Sequence, residues 1–222
     1  MAKQYARGGF IELCRQFARI VDFLLLLVTL RIRGILVPFS ELKRISFIEL
    51  GPGPTRLAPL KRMLFREVYF VDKFDFGIPD SGLRLRDLEG CDDASVIVND
   101  ICGIRHRGPV FIFADHCIEH IPEVTVAKFL RSITAMGATA CFRVPNVSSS
   151  VGKRNFGNDV THKTSFDDAL RTTIRECGFA VIPWLRWYRP SLLFSAALDA
   201  NGIVNVAEEI AFCYGPGRER IQ

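Results

Sequence analysis

The chain has 222 residues, of which 49% are hydrophobic and 24% charged, with a formal net charge of +5. That length buries one sizeable core, and no repeat or low-complexity tract argues for more than a single α/β domain with an N-terminal addition. Cysteines at 14, 91, 102, 117, 141, 177 and 213 are scattered, without a Cys-x-x-Cys pair, and most lie in apolar stretches. This pattern argues against a disulfide framework and against a zinc site of clustered ligands, so no metal is expected. Reduced, packed thiols and a cytoplasmic location are expected instead.

The charge is uneven. Residues 1–66 hold twelve Lys or Arg against four acids, a balance of +8 that leaves −3 for the rest. A solvated helix face accounts for such a bias; an anionic lipid surface, a nucleic acid or an acidic substrate are the functional alternatives.

Between Phe10 and Phe39 the chain is apolar and lacks turn residues except Gly34, so a helix is expected, with Phe23-Leu-Leu-Leu-Leu-Val-Thr-Leu30 at its centre. The run is flanked by Asp22 on one side and by Arg31 and Arg33 on the other, too short for the roughly 20 apolar residues of a membrane span. It begins too late, and lacks the cleavage signal, for a secretory leader. Two roles remain: packing on the domain or on a second copy, or lying in a membrane interface. Packing is favoured, because Leu24 to Leu27 cover all sides of a helix rather than one stripe. The chain thus divides into residues 1–44, an apolar and basic helical segment, and residues 45–222, the main domain.

The next run, Phe47-Ile-Glu-Leu-Gly-Pro-Gly-Pro-Thr55, reads as a strand ending in an acid, followed by two glycines spaced for a tight turn against a ligand. A dinucleotide fingerprint needs a third glycine opening the helix, but that position is Arg56, and Glu49 sets negative charge where a diphosphate would lie. A cationic ligand suits Glu49 better. In Glu49, Gly51 and Gly53 the chain resembles the class I S-adenosylmethionine-dependent methyltransferases of the small-molecule type (the type 11/23 group), with Thr55 in place of the last motif glycine.

A helix is expected over Thr55 to Leu64, then a strand from Glu67 that ends at Asp72. The resemblance implies that Asp72 accepts hydrogen bonds from the ribose hydroxyls, with Asp75 as a second candidate. A third apolar run, Ala94 to Val98, closes with Asn99-Asp100, and the resemblance gives Asp100 the contact to the adenine amino group. Val110-Phe-Ile-Phe-Ala-Asp-His-Cys-Ile-Glu-His-Ile-Pro122 reads as a buried fourth strand running into a turn, and resembles the apolar strand followed by Glu-His-Ile/Leu-Pro of the same family. A helix over Pro122 to Met136, a fifth strand ending Val-Pro-Asn146, a polar loop over 148–162 and a helix over Ser165 to Cys177 follow; Ser165 is the expected N-cap. Trp184, Trp187 and Tyr188 then read as core aromatics.

Alternating strands and helices imply a largely parallel sheet, whose ligands bind beyond the carboxyl ends of its strands. The resemblance sharpens this to a Rossmann-like methyltransferase fold: a mostly parallel seven-stranded sheet with helices on both faces. It implies S-adenosylmethionine as cofactor, held by Glu49, Gly51, Gly53, Asp72, Asp100 and Asp115. His116 and His162 are the candidate bases for a hydroxyl acceptor, while His120 reads as a structural residue of the helix start. The expected reaction is methyl transfer to a small molecule or glycan intermediate. No dedicated nucleic-acid module is apparent, and the N-terminal helix is the expected contact for a homodimer or for the inner face of a membrane. A methyltransferase-like binding protein without catalysis is the alternative, and an NAD-dependent oxidoreductase is disfavoured by Arg56.

Overall fold

The computed structural model describes residues 2–52, 57–72, 84–85, 108–147, 150–184 and 209–214. Gly53, Thr55, Arg56, Asp75, Asp100, the expected strand Ala94 to Val98, Trp187 and Tyr188 lie outside the described residues. Strands β1 (Ser46–Leu50), β2 (Glu67–Asp72), β3 (Arg84–Leu85), β4 (Val110–Asp115), β5 (Thr139–Val144), β6 (Ala180–Trp184) and β7 (Glu209–Tyr214) pair in the order β3-β2-β1-β4-β5-β7-β6. The run from β3 to β5 is parallel, whereas β7 is antiparallel to both β5 and β6.

Side chains alternate along each strand with period two and build a core on each face of the sheet. Ile48, Leu50, Ile112, Ala114, Ala140, Phe142 and Val144 face α3 (Glu123–Ala135) and α5 (Asp168–Glu176), packing against Val126, Phe129, Leu130, Ile133, Leu170 and Ile174. Phe47, Phe70, Phe111, Phe113 and Cys141 face the other way, towards α1 (Ala2–Ile32) and α2 (Ala58–Leu64). Phe47 stacks on Phe65 with centroids 4.6 Å apart and meets Phe23 of α1 edge-on at 5.9 Å. Truncating such a fully buried ring to alanine costs about 3–5 kcal/mol.

Helix α1 uses one stripe. Phe23, Leu26, Leu27 and Leu30 are buried at the i, i+3, i+4, i+7 spacing, while Leu25 and Val28 are exposed. The expected packing on the domain is therefore met, but by a stripe rather than by an all-round apolar surface. Gly34 closes the helix in a left-handed conformation (φ 68°), and the amides of Ile35 and Leu36 return to the carbonyl of Leu30. No helix among the described residues is long and apolar enough to cross a membrane. The four described cysteine side chains, Cys117, Cys141, Cys177 and Cys213, are free and buried.

Two local expectations need correction. The segment 148–162 is not simply a loop, since α4 (Ser150–Gly157) runs through it. Gly152, Asn155 and Gly157 are poor helix formers, which hid it. Tertiary contact offsets that weakness: the Phe156 ring stacks on His162 with centroids 5.0 Å apart. The cap of α5 is Asp167, not Ser165, because Asp167 Oδ1 accepts from the amides of Ala169 (3.0 Å) and Leu170 (3.1 Å).

Candidate active site

At the carboxyl ends of the strands, the positions that continue the α1/α2 face turn from apolar to charged. Glu49 follows Phe47 by two on β1, Asp72 follows Phe70 on β2, Asp115 follows Phe113 on β4, and Arg143 follows Cys141 on β5. Each except the half-exposed Asp115 is buried. Buried charges require partners, and the helices on this face supply them. Lys61 of α2, 1% exposed, sets its ammonium 2.5 Å from Glu49 Oε2. It also lies 5.3 Å from the Phe23 ring centroid and within 6 Å of Phe47 and Phe70. Burial raises the Glu49 pKa, the nearby Lys61 ammonium opposes this, and the net shift remains upward.

Arg143 is the second junction. It is the register partner of Asp115 in the parallel β4–β5 pair, so its guanidinium meets that carboxylate with both Nε (2.7 Å) and Nη2. Its Nη1 reaches Asp22 of α1 at 2.7 Å. Burial works against the guanidinium charge, but Asp115 and Asp22 outweigh it and raise the Arg143 pKa, so it stays protonated. Asp22 and Arg143, each 3% exposed, thus fasten the N-terminal helix to the sheet by an ion pair excluded from water.

Beneath these pairs lies a cavity of about 310 Å³ whose lining includes Arg19, Asp22, Glu49, Gly51, Lys61, Asp115, His116 and Arg143. It is at the small end of ligand pockets, which span about 300–1,000 Å³. The glycine turn forms one wall. Gly51 is left-handed (φ +59°), its amide donates to the carbonyl of Val71 (2.8 Å), and a Cβ there would stand 2.5 Å from Cys117 Sγ. Only glycine meets both constraints.

His116 follows β4 in a left-handed conformation (φ 52°), unusual for a residue with a side chain. Its Nδ1 is 3.4 Å from Glu119 Oε1, its Nε2 3.9 Å from Asp115 Oδ1, and its side chain is 37% exposed. Burial lowers its pKa, yet the Glu119 and Asp115 carboxylates more than reverse that, and the net shift is upward.

The sequence candidates therefore fall into four groups. Glu49, Gly51, Asp115 and His116 meet around the cavity. Asp72, 5% exposed at the end of β2, sits beside Glu49 but outside the lining set. His162 is carried past the cavity: its Nε2 stands 3.8 Å from Glu119 Oε1, on the carboxylate that His116 also approaches. Gly53 and Asp100 belong to the undescribed residues. Sequence reasoning missed Asp22, Lys61, Arg143 and Glu119. A signal existed for two of them, since Asp22 adjoins an apolar helix and Arg143 interrupts an apolar strand; such solitary charges in buried elements require partners.

No protein-family model and no curated protein matches the chain. Solved structures do. A methyltransferase dependent on S-adenosylmethionine from Archaeoglobus fulgidus superposes with a TM-score of 0.56 at 15% identity, covering 86% of this chain and 93% of that one. A candidate methyltransferase from Thermobifida fusca gives 0.53 at 11% identity over 78% and 73% of the two chains. A candidate S-adenosylmethionine-dependent methyltransferase from Listeria monocytogenes gives 0.51 at 10%, over 83% and 95%. The chain has the S-adenosylmethionine-dependent methyltransferase fold. In this methyltransferase fold β1, β4 and β5 end at the cavity, with Gly51 just past β1, Asp115 at the end of the adjacent β4 and Asp72 at the end of β2, on the other side of β1.

Proposed function

We propose that the chain is an S-adenosylmethionine-dependent methyltransferase acting on a small molecule or a glycan intermediate. The observation that carries this reading is the cavity at the carboxyl ends of β1 and β4, walled by a left-handed Gly51 that no other residue could replace. Its lining is charge-balanced, with Arg19, Lys61 and Arg143 against Asp22, Glu49 and Asp115. That balance suits a ligand carrying a carboxylate, an ammonium and a sulfonium. In this reading Arg19, on α1 in the cavity lining, would take the carboxylate and Asp72, at the end of β2, the ribose hydroxyls.

The cofactor's part is an electrophilic methyl group. The chain's part is positioning, because in-line displacement is governed by how the acceptor is held and desolvated. Phe23, Leu57 and Phe113 form the apolar portion of the wall that excludes water. For a hydroxyl acceptor, His116 in the cavity lining would take the proton, with Glu119 Oε1 3.4 Å from its Nδ1 to orient the ring. His162 contacts Glu119 and acts as a positioning residue. Buried, reduced thiols support a cytoplasmic site of action.

Calorimetric titration of the full chain with S-adenosylmethionine, S-adenosylhomocysteine and NAD tests the proposal. Binding of the first two is expected, and binding of NAD alone overturns it. One observation favours a second reading, a binding protein without catalysis: Lys61 already occupies the Glu49 carboxylate. Cofactor binding without turnover on any acceptor would support that reading.

A further inference from the structure

We propose that Glu119, His120 and His162 form a binding site for one divalent first-row transition cation of the zinc class. Glu119 lies in the short 3-10 turn Ile118–His120 after β4, and it is 0% exposed. Neither of its carboxylate oxygens receives a hydrogen bond. An ionised carboxylate in that state is strongly disfavoured without a nearby cation.

The two imidazoles are prepared for that cation. His162 Nδ1 is 3.0 Å from the carbonyl oxygen of Phe156, which can only accept, so the ring's proton belongs on Nδ1. Its Nε2 then presents a lone pair to Glu119 Oε1 at 3.8 Å and to Asp159 Oδ2 at 3.7 Å. Acceptors facing one another repel unless a positive charge lies between them. His120 Nδ1 lies 3.0 Å from Thr161 Oγ1, whose own proton goes to Asp159 Oδ1, and 3.3 Å from the Thr161 carbonyl oxygen, so the proton of this ring also belongs on Nδ1. A histidine whose far nitrogen is tied to a backbone carbonyl is the usual orientation of a metal ligand.

One ligand atom from each of the three residues lies within 4.8 Å of the others. Tetrahedral ligation at about 2.0–2.2 Å sets such atoms roughly 3.4 Å apart, so the widest separation closes by roughly 1.4 Å on binding. The backbone holds the ligands in register for this. Lys163 and Thr164 amides both donate to the Glu119 carbonyl, at 2.8 and 2.9 Å, and the Thr164 hydroxyl donates to the Ile121 carbonyl. These bonds clamp the segment carrying His162 to the turn carrying Glu119 and His120. A His2Glu set leaves a coordination position open. His116, which touches Glu119 and lines the cavity, stands between the cluster and the candidate active site.

The spacing hid this cluster, since His162 is 42 positions beyond His120 in the sequence. The competing account is a proton on His116 or His162 that forms a simple ion pair with Glu119, whose Oε1 lies 3.4 Å from His116 Nδ1 and 3.8 Å from His162 Nε2. Titration of the chelator-stripped full chain with Co2+ near neutral pH, without cofactor, separates the two and is independent of the methyltransferase reading. Saturable uptake of a single ion with visible ligand-field bands is expected. Glu119→Gln, which keeps shape and removes charge, and His162→Asn should each weaken affinity by at least about tenfold. Absence of saturable uptake by the wild-type chain overturns the site, as does unchanged affinity in both variants. Should the variants not fold, the imidazole NMR resonances of the wild-type chain decide. Added Zn2+ shifts those of His120 and His162 if the site exists, and unmoved resonances refute it.

Discussion

At the scale of single residues, the site is governed by positions where a side chain is either forbidden or indispensable. Gly51→Ala adds a methyl group in a left-handed turn and drives it to 2.5 Å from Cys117 Sγ. A loss of about 1–3 kcal/mol in folding stability is expected from the backbone strain, read as a lower urea midpoint; an unchanged midpoint would show that the turn opens freely. Lys61 is the opposite case. Lys61→Met leaves the buried Glu49 carboxylate without its ammonium, and breaking such a pair costs about 3–5 kcal/mol. The double change Lys61→Met with Glu49→Leu should recover most of that loss, because two apolar groups need no compensation. Equal destabilisation of the single and double variants would contradict the pairing. The glycine was legible in the sequence, as the spacing of a turn. The lysine was not: a lysine on a short helix is ordinarily solvated, and only the packing of three phenylalanine rings around Nζ reveals that this one is enclosed.

Among elements, the attachment of α1 is decided by one buried guanidinium. Asp22 is its only described acid near Arg143 on that helix, and the apolar stripe from Phe23 to Leu30 provides the remaining adhesion. Asp22→Ala removes half of the charge compensation of Arg143 and should loosen α1 before it unfolds the sheet. Hydrogen exchange at residues 16–32 is then expected to quicken while β1, β4 and β5 keep their protection. Uniform acceleration across the chain would show that helix and sheet open as one unit. The outer side of α1 carries Phe17, Leu25, Val28 and Ile32, all exposed, beside the exposed Arg31. The periodicity announced this helix, but it did not say which side faces the sheet, because Leu24 to Leu27 offer apolar surface in every direction. Helix α4 shows the reverse failure, a weak local preference rescued by Phe156 resting on His162.

For the whole molecule, short continuous apolar runs explain why the fold was legible: strands with apolar residues on both faces, separated by helices, leave little choice but a layered parallel sheet. The site was legible in part, since the strand-end rule gathers Glu49, Asp115 and His116 from distant segments without naming their partners on the helices. A ligand that fills the cavity binds only the assembled sheet and α1 together. S-adenosylmethionine at one hundred times its dissociation constant should therefore add about 2.7 kcal/mol of stability, seen as a higher melting temperature. A melting temperature that ignores saturating cofactor would mean that the cavity is not its site.

The bond between Asp22 and Arg143 spans 121 positions of the chain. At ribosomal speeds of about 5–20 residues per second, the first helix waits roughly 6–24 s for the arginine that neutralises its buried acid. Throughout that interval its leucines face solvent uncovered, a natural foothold for a chaperone. Nascent chains halted ahead of β5 should be held by one, and those halted after β5 released.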